Sequence, residues 1–420
     1  MQGPPWRRVV KLRIEKFAQI ESAEIDFGQA GDLTILVGEQ ATGKSLVLQW
    51  LKLLTDRVAI RRTWEHYGIN WRSGEHPSRP LDLFFGEGIG KGGYDFDHTR
   101  IELDGVSYKL DSLFRLPKGN AAAQKEQRAE RTYYIPAHRA LLLMDGWPLA
   151  FQQHRTGTPY VARAQSERIL QWLNQSDKAL FPIKNRLHAS IRSLFSEAIF
   201  HGAALNIDRV SQQSRLILSV SQASAIPYMA WTAGQREFVP LLLALYELMP
   251  AGRNTKVQAV DTVILEEPEL GLHPKALFAV GVAVLHLMAR GYRVILSTHS
   301  PLMVDFAWAL NRLNTARKMD KASEQDVLKA FGLSANLTSK AVAVRLKDSR
   351  ARVFYLGYQK QQRSQPASRV VSRDISDLRT YGPSDKPVWG DLLKYSTHLA
   401  EAIVQLDLDF SSLADEELRP

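Results

Sequence analysis

The sequence contains no cysteine. Disulfides, thiolate nucleophiles, Cys-ligated zinc and iron–sulfur clusters are excluded, and several enzyme classes with them. No apolar run reaches the ~18 residues of a membrane span. The longest, Ala276 to Ala289, carries His286 and reads as a buried helix. The start, Met1-Gln2-Gly3-Pro4-Pro5-Trp6-Arg7-Arg8, lacks the apolar stretch of a secretory signal, so a cytoplasmic address away from membranes is expected. None of the 11 histidines forms a His-x-x-x-His pair around a glutamate, and no G-x-S-x-G elbow occurs, so zincin-type and hydrolase-type catalysis lack their residues. No internal repeat occurs at solenoid periods.

What is present is a chain of 420 residues, 45% hydrophobic and 23% charged, able to bury a substantial core. The length allows two or three units, or one enlarged α/β domain with insertions. The net charge of +10 is uneven. Arg312 to Arg379 holds 15 Lys/Arg against 6 Asp/Glu, whereas Asp407 to Glu417 is acidic. The basic stretch, 312–379, can hold nucleic acid through phosphate contacts, and it can equally be a solvated surface or a docking face for an acidic partner.

The first 37 residues alternate as strands do, in Val9 to Ile14 and Ala23 to Phe27, and then run into the buried-strand pattern Leu33-Thr34-Ile35-Leu36-Val37. A helical pattern follows from Ser45 to Leu54. Arg57 to Gln124 reads as irregular apart from a hairpin around Asp104-Gly105. Arg163 to Ile199 carries apolar residues at helical spacing and reads as a compact helical insert. Beyond it a helix from about Gln235, a strand to Leu265, a helix and a strand ending near Thr298 are expected.

Gly38-Glu39-Gln40-Ala41-Thr42-Gly43-Lys44-Ser45 matches G-x-x-x-x-G-K-[ST] after a strand and at the opening of a helix. Such a loop wraps phosphate oxygens with backbone N–H groups, its lysine reaches the β- and γ-phosphates, and its serine ligates Mg²⁺. Gly88-Ile89-Gly90-Lys91-Gly92-Gly93 formally fits G-x-G-x-x-G, but a hairpin follows it, so it reads as a flexible loop. Val263-Ile264-Leu265 is an apolar strand ending in Glu266, Glu267 and, past Pro268, Glu269. Beside bound phosphates, one such carboxylate can hold Mg²⁺ and the next can polarise the attacking water. Thr232-Ala233-Gly234-Gln235 precedes an apolar helix that Thr232 can cap, leaving N–H groups for an anion. His299 stands at the end of the strand Arg293 to Ser297.

The order of these segments resembles ABC-type ATPases: P-loop, signature, Walker B, switch histidine. The resemblance is to the soluble branch shared by SMC, RecF and OLD-like ATPases. Glu266 to Pro274, Ser297-Thr298-His299-Ser300-Pro301 and Tyr134-Ile135-Pro136-Ala137-His138-Arg139 look like OLD-type and bacterial anti-phage ATPases. It covers about Lys11 to Val304 and continues more faintly to Trp389-Gly390.

The resemblance implies an α/β head, a P-loop core sheet plus an antiparallel β subdomain, with a helical insert. Residues 1–150 would form an N-terminal lobe, 151–205 the insert, 206–311 a second lobe, and 312–420 a basic extension completing the core. It implies ATP and Mg²⁺ as ligands. The loop from Gly38, Glu39, Gln40, Ala41, Thr42 and Gly43 would bind ATP, and Lys44 its β/γ-phosphates. Ser45 and Glu266 would hold Mg²⁺, Glu267 would be the general base and His299 would contact the γ-phosphate. Thr232, Ala233, Gly234 and Gln235 would complete the site of a second subunit, in a head-to-tail dimer or higher oligomer.

Three positions depart from the family pattern. Glu266 replaces an aspartate, Thr232-Ala233 replaces Ser-Gly, and Phe17-Ala18-Gln19 stands where relatives have a basic residue. The Q-loop glutamine is unassigned, with the segment around Arg139 as its region. Slow hydrolysis is expected. The function expected is the ATPase subunit of an anti-phage defence system working with a separate effector, a nuclease or toxin. The alternatives are a DNA-binding repair or chromosome-maintenance ATPase, and a nucleotide-dependent scaffold. Neither the pair Asp95 and Asp97 with His98 nor the acids Asp407, Asp409, Asp415, Glu416 and Glu417 is expected to form a nuclease site.

Overall fold

The computed structural model describes residues 9–72, 77–115, 129–155, 157–209, 214–221, 224–250, 256–359 and 369–376. The first eight residues, Arg379, Trp389-Gly390 and the terminal acids lie outside the described residues.

The run Leu33-Thr34-Ile35-Leu36-Val37 forms β3 (Leu33–Gly38), buried throughout. A strand with no polar face needs neighbours on both edges and cover on both sides, and β3 has them. β14 (Arg293–Ser297) and β15 (Ala351–Tyr358) flank it, both parallel to it. β13 (Thr262–Glu266) and β6 (Thr132–Ile135) extend the parallel array beyond β14. On the other side β16 (Val370–Asp374) runs antiparallel to β15 and parallel to β2 (Ile20–Asp26). β1 (Lys11–Phe17), β4 (Arg100–Leu103) and β5 (Val106–Ser107) follow as antiparallel neighbours. One ten-stranded sheet results, ordered β5-β4-β1-β2-β16-β15-β3-β14-β13-β6. The antiparallel part is therefore a wing of the core sheet, joined to it through β16.

Strand residues alternate between two cores, as the two-residue period requires. Ile35, Val37, Leu265, Leu296 and Val353 face one, Leu36, Ile264, Ile295, Phe354 and Leu356 the other. The second core is covered by α1 (Lys44–His66) through Val47, Trp50, Leu54 and Trp64. The first is covered mainly by α3 (Ala233–Leu248), α4 (Pro274–Ala289) and α5 (Pro301–Lys318), with the end of α2 (Tyr160–Asn174) beside them.

Three sequence readings change. The irregular region from Arg57 begins with the last turns of α1, which runs on to His66. Buried Lys52 and Asp56 interrupt its apolar stripe, and they are paired at 2.7 Å. Ile89–Gly93 is a five-residue helix rather than a loop. Beyond the short antiparallel pair β7 (Leu143–Met144) and β8 (Trp147–Pro148), the insert is only partly helical: β9 (Ala179–Phe181) pairs with β10 (Ala204–Asp208) in an antiparallel sheet that continues through β11 (Arg215–Ser221) and β12 (Ser224–Pro227). A boundary at residue 205 falls inside β10.

Candidate nucleotide site

The carboxyl ends of the parallel strands lie level, because Glu266 pairs with Ser297, Ser297 with Leu36 and Leu265 with Ile135. In an open α/β sheet this edge is where ligands bind. Every motif from the strand ends meets here: the P-loop after β3, the acids after β13, His299 after β14 and Pro136 to Arg139 after β6.

The P-loop turns on left-handed backbone at Ala41 and Gly43, φ 58° and 84°. Thr42 Oγ1 donates to the Glu39 carbonyl at 2.9 Å. Lys44 Nζ donates to the carbonyls of Gly38 and Glu39, at 3.0 and 2.8 Å, inside the curl of the loop. Burial pulls its ammonium down to about 8, against the raising pull of Glu267, Glu269 and Glu39. Gln19 Nε2 and the Tyr358 hydroxyl each donate to the Ala41 carbonyl at 3.0 Å. Gln19 thus grips the crest of the loop. Tyr358 escaped the sequence reading because it lies more than 300 residues from its partner.

Glu266 is buried, and burial raises its carboxyl, opposed by the Ser45 hydroxyl, the Ala137 N–H and the Tyr134 hydroxyl. Its Oε2 accepts from Ala137 N at 3.2 Å, while Oε1 is buried without a hydrogen bond of normal geometry. A buried carboxylate oxygen left over beside a serine hydroxyl has the chemistry that a small hard cation such as Mg²⁺ would take. Glu267 is half-buried and holds φ 40°, a left-handed conformation that costs a non-glycine residue about 1–2 kcal/mol. Its N–H donates to the Ser297 carbonyl, and its Oε1 lies 3.7 Å from His299 Nε2. Burial, and then Lys44, lowers the His299 imidazole, which favours its neutral form. Glu269, given no role from sequence, accepts from Thr298 Oγ1 at 2.9 Å and from the His299 N–H. It fixes the turn that presents the histidine; a third acid in the same run was the available signal.

Thr232 caps α3 in a reciprocal box: its Oγ1 accepts from Gln235 N at 3.2 Å, and Gln235 Oε1 accepts from Thr232 N at 3.1 Å. The Gln235 side chain is thereby engaged at home, also donating to the Ile199 carbonyl. Thr232 and Ala233 are exposed. Gly234 packs so closely on the loop after β13 that a Cβ would lie 2.6 Å from the Gly271 carbonyl oxygen. Arg139 proves to be a fully buried clamp. Its guanidinium donates to the carbonyls of Pro136, Glu266, Glu267 and Glu237.

The basic stretch is partly internal. Arg317 is buried and donates to the Ala343 carbonyl, and Arg352 pairs with Asp32 at 2.8 Å, whereas Arg345 is exposed and only reaches back to the Ala289 carbonyl. Lys347 and Arg350 are exposed. Asp95 accepts from the N–H groups of Asp97 and His98 and lies 2.9 Å from His98 Nδ1, in an exposed turn that follows the bridge between Tyr94 and Phe17. No described helix is long and apolar enough to cross a membrane.

The profile of the family described as "AAA domain, putative AbiEii toxin, Type IV TA system" matches residues 33–305, more than half of the chain. The Old nuclease of Escherichia phage P2 is 25% identical over 147 residues, 34% of this chain and 23% of that protein. The match thus spans under a quarter of that relative's length. Among solved structures, the SMC head bound to the C-winged helix domain of ScpA is similar at a TM-score of 0.39 and 10% identity, over 88% of this chain and 98% of that one. The SMC head domain from Thermotoga maritima is similar at 0.34 and 11%, over 87% and 98%.

Proposed function

The chain belongs to this AAA-domain family, and from that premise we propose an ATPase of the SMC- and OLD-like type that works as a nucleotide-driven switch, the ATPase subunit of an anti-phage defence system. Its output would pass through a separate effector, a nuclease or toxin. The observation that carries the ATPase part is the convergence of Lys44, Ser45, Glu266, Glu267 and His299 on one sheet edge. The defence part rests on the family's description and on the stretch shared with the Old nuclease.

In this reading the P-loop N–H groups and Lys44 bind the phosphates of ATP, leaving the Gly38 and Glu39 carbonyls for them. Ser45 and Glu266 hold Mg²⁺, which supplies charge neutralisation at the phosphates. Glu267 takes the proton of the attacking water, and neutral His299 donates a hydrogen bond toward the γ-phosphate. The start of α3, exposed at Thr232 and Ala233, would serve the nucleotide of a second copy in a head-to-tail dimer, with Gly234 and Gln235 shaping that turn from behind. Slow turnover is expected, because Glu266 reaches one methylene farther than an aspartate.

Lys44→Ala tests the reading. Titration with a fluorescent ATP analogue in Mg²⁺ should show affinity lowered at least ~100-fold, as expected for losing a charge-assisted phosphate contact. Equal affinity of the variant and the parent would refute it.

A further inference from the structure

Arg139 is 0% exposed, and an arginine never leaves its charge behind, so the contacts it makes are needed to offset its burial. Those contacts reach two separate parts of the molecule. Nη1 donates to the Glu266 carbonyl at 2.8 Å and Nη2 to the Glu267 carbonyl at 3.2 Å. Nε donates to the Glu237 carbonyl on α3 at 3.0 Å. One planar fork therefore ties the first turns of the signature helix to the peptide that carries Glu267 in its left-handed conformation. The neighbours of Arg139 reinforce the link. Ala137 N donates to the Glu266 carboxylate, and the Ala140 carbonyl accepts from the Tyr228 hydroxyl at 3.1 Å, just ahead of the signature.

Resting on the ATPase reading above, we infer that Arg139 is a positioning residue that transmits displacement of the signature helix to the general base Glu267. A helix docked on the nucleotide of a second copy would move its own Glu237 carbonyl. The guanidinium, bonded to that carbonyl and to Glu267 at once, must follow or lose a bond in a buried, low-dielectric place where an unmet donor is costly. The backbone of Glu267 sits in a sparsely populated region and depends on its surroundings to stay there. Arg139 is fully buried with its donors spent on backbone carbonyls of its own chain. Its effect runs through the base, and a change there should appear in kcat rather than in ATP affinity.

The test is Arg139→Lys in the full chain. A lysine keeps the charge and most of the stem but is a point donor that cannot span carbonyls on both sides. The expected result is kcat lowered about 10–100-fold with the dissociation constant for a fluorescent ATP analogue changed less than about threefold and a folded melt. A kcat within about twofold of the parent would overturn the inference. So would parallel losses of kcat, affinity and melting temperature, the signature of a mere structural staple. Should Arg139→Lys fail to fold, Tyr228→Phe removes only the hydroxyl that anchors the other side of the same segment. It should lower kcat about threefold or more at unchanged affinity, and full activity there overturns the inference equally. An active parent with an indifferent Arg139 strikes this inference alone, whereas a parent that neither binds nor hydrolyses ATP strikes the ATPase reading and the inference together.

Discussion

Gly38 ends β3 with φ 147°, and a Cβ on it would sit 2.1 Å from the Leu356 carbonyl oxygen on the neighbouring strand. Backbone cannot yield as a side chain can, so Gly38→Ala must displace the loop that Lys44 curls into. Affinity for a fluorescent ATP analogue is expected to fall more than about tenfold, with a lower melting temperature; parental binding would show that the loop tolerates the shift. Gly38, Lys44 and Ser45 stood out in the sequence as a phosphate-loop pattern between a strand and a helix, and Glu266, Glu267 and His299 because they end or follow apolar strands, where polar residues serve no core. Glu269 and Arg139 were not, because their partners are largely backbone atoms that only the fold brings near. Gln235 shows the converse: a residue assigned to a partner's nucleotide is held by its own helix cap.

Among the elements, α4 carries a testable liability. His286 lies 1% exposed on it, stacked 5.5 Å from His188, with Arg290 nearby, and burial pulls its imidazole down to about 3. Between pH 6.5 and about 3 the unfolded chain takes up a proton there that the folded chain refuses. Stability is therefore lost as pH falls through this window, by up to ~1.4 kcal/mol per unit. His286→Leu should flatten that dependence, so that its melting temperature drops less than the parent's between pH 7.5 and 5.5. Parallel drops would place the acid sensitivity elsewhere. The strands of the core were legible as runs of β-branched and aliphatic residues. The extent of α1 was not, since the buried Lys52 also meets Glu130 at 2.9 Å and the Thr132 carbonyl at 2.7 Å, and a solvated charge looks the same in a sequence. The insert was misread for a related reason: Ala179–Phe181 is too short a strand to show a period before β10 pairs with it.

At the scale of the whole molecule, the stretch from Arg312 combines two roles that composition cannot separate. Its strand β15 lies beside β3 at the centre of the sheet, and Arg352 is spent on Asp32 at the opposite end from the P-loop. The charge excess is thus in part the internal wiring of a core strand. In the proposed function, what the molecule does with ATP would depend on Glu267 more than on any other group, because it combines the strained backbone, the contact with His299 and the tie through Arg139. Glu267→Gln keeps the shape and removes the base. Single-turnover hydrolysis by this variant, measured with its ATP affinity and its mass in solution, tests the account most directly. The account predicts hydrolysis slowed at least ~100-fold, affinity kept, and a dimer that accumulates with ATP and Mg²⁺. Hydrolysis at the parental rate would contradict it.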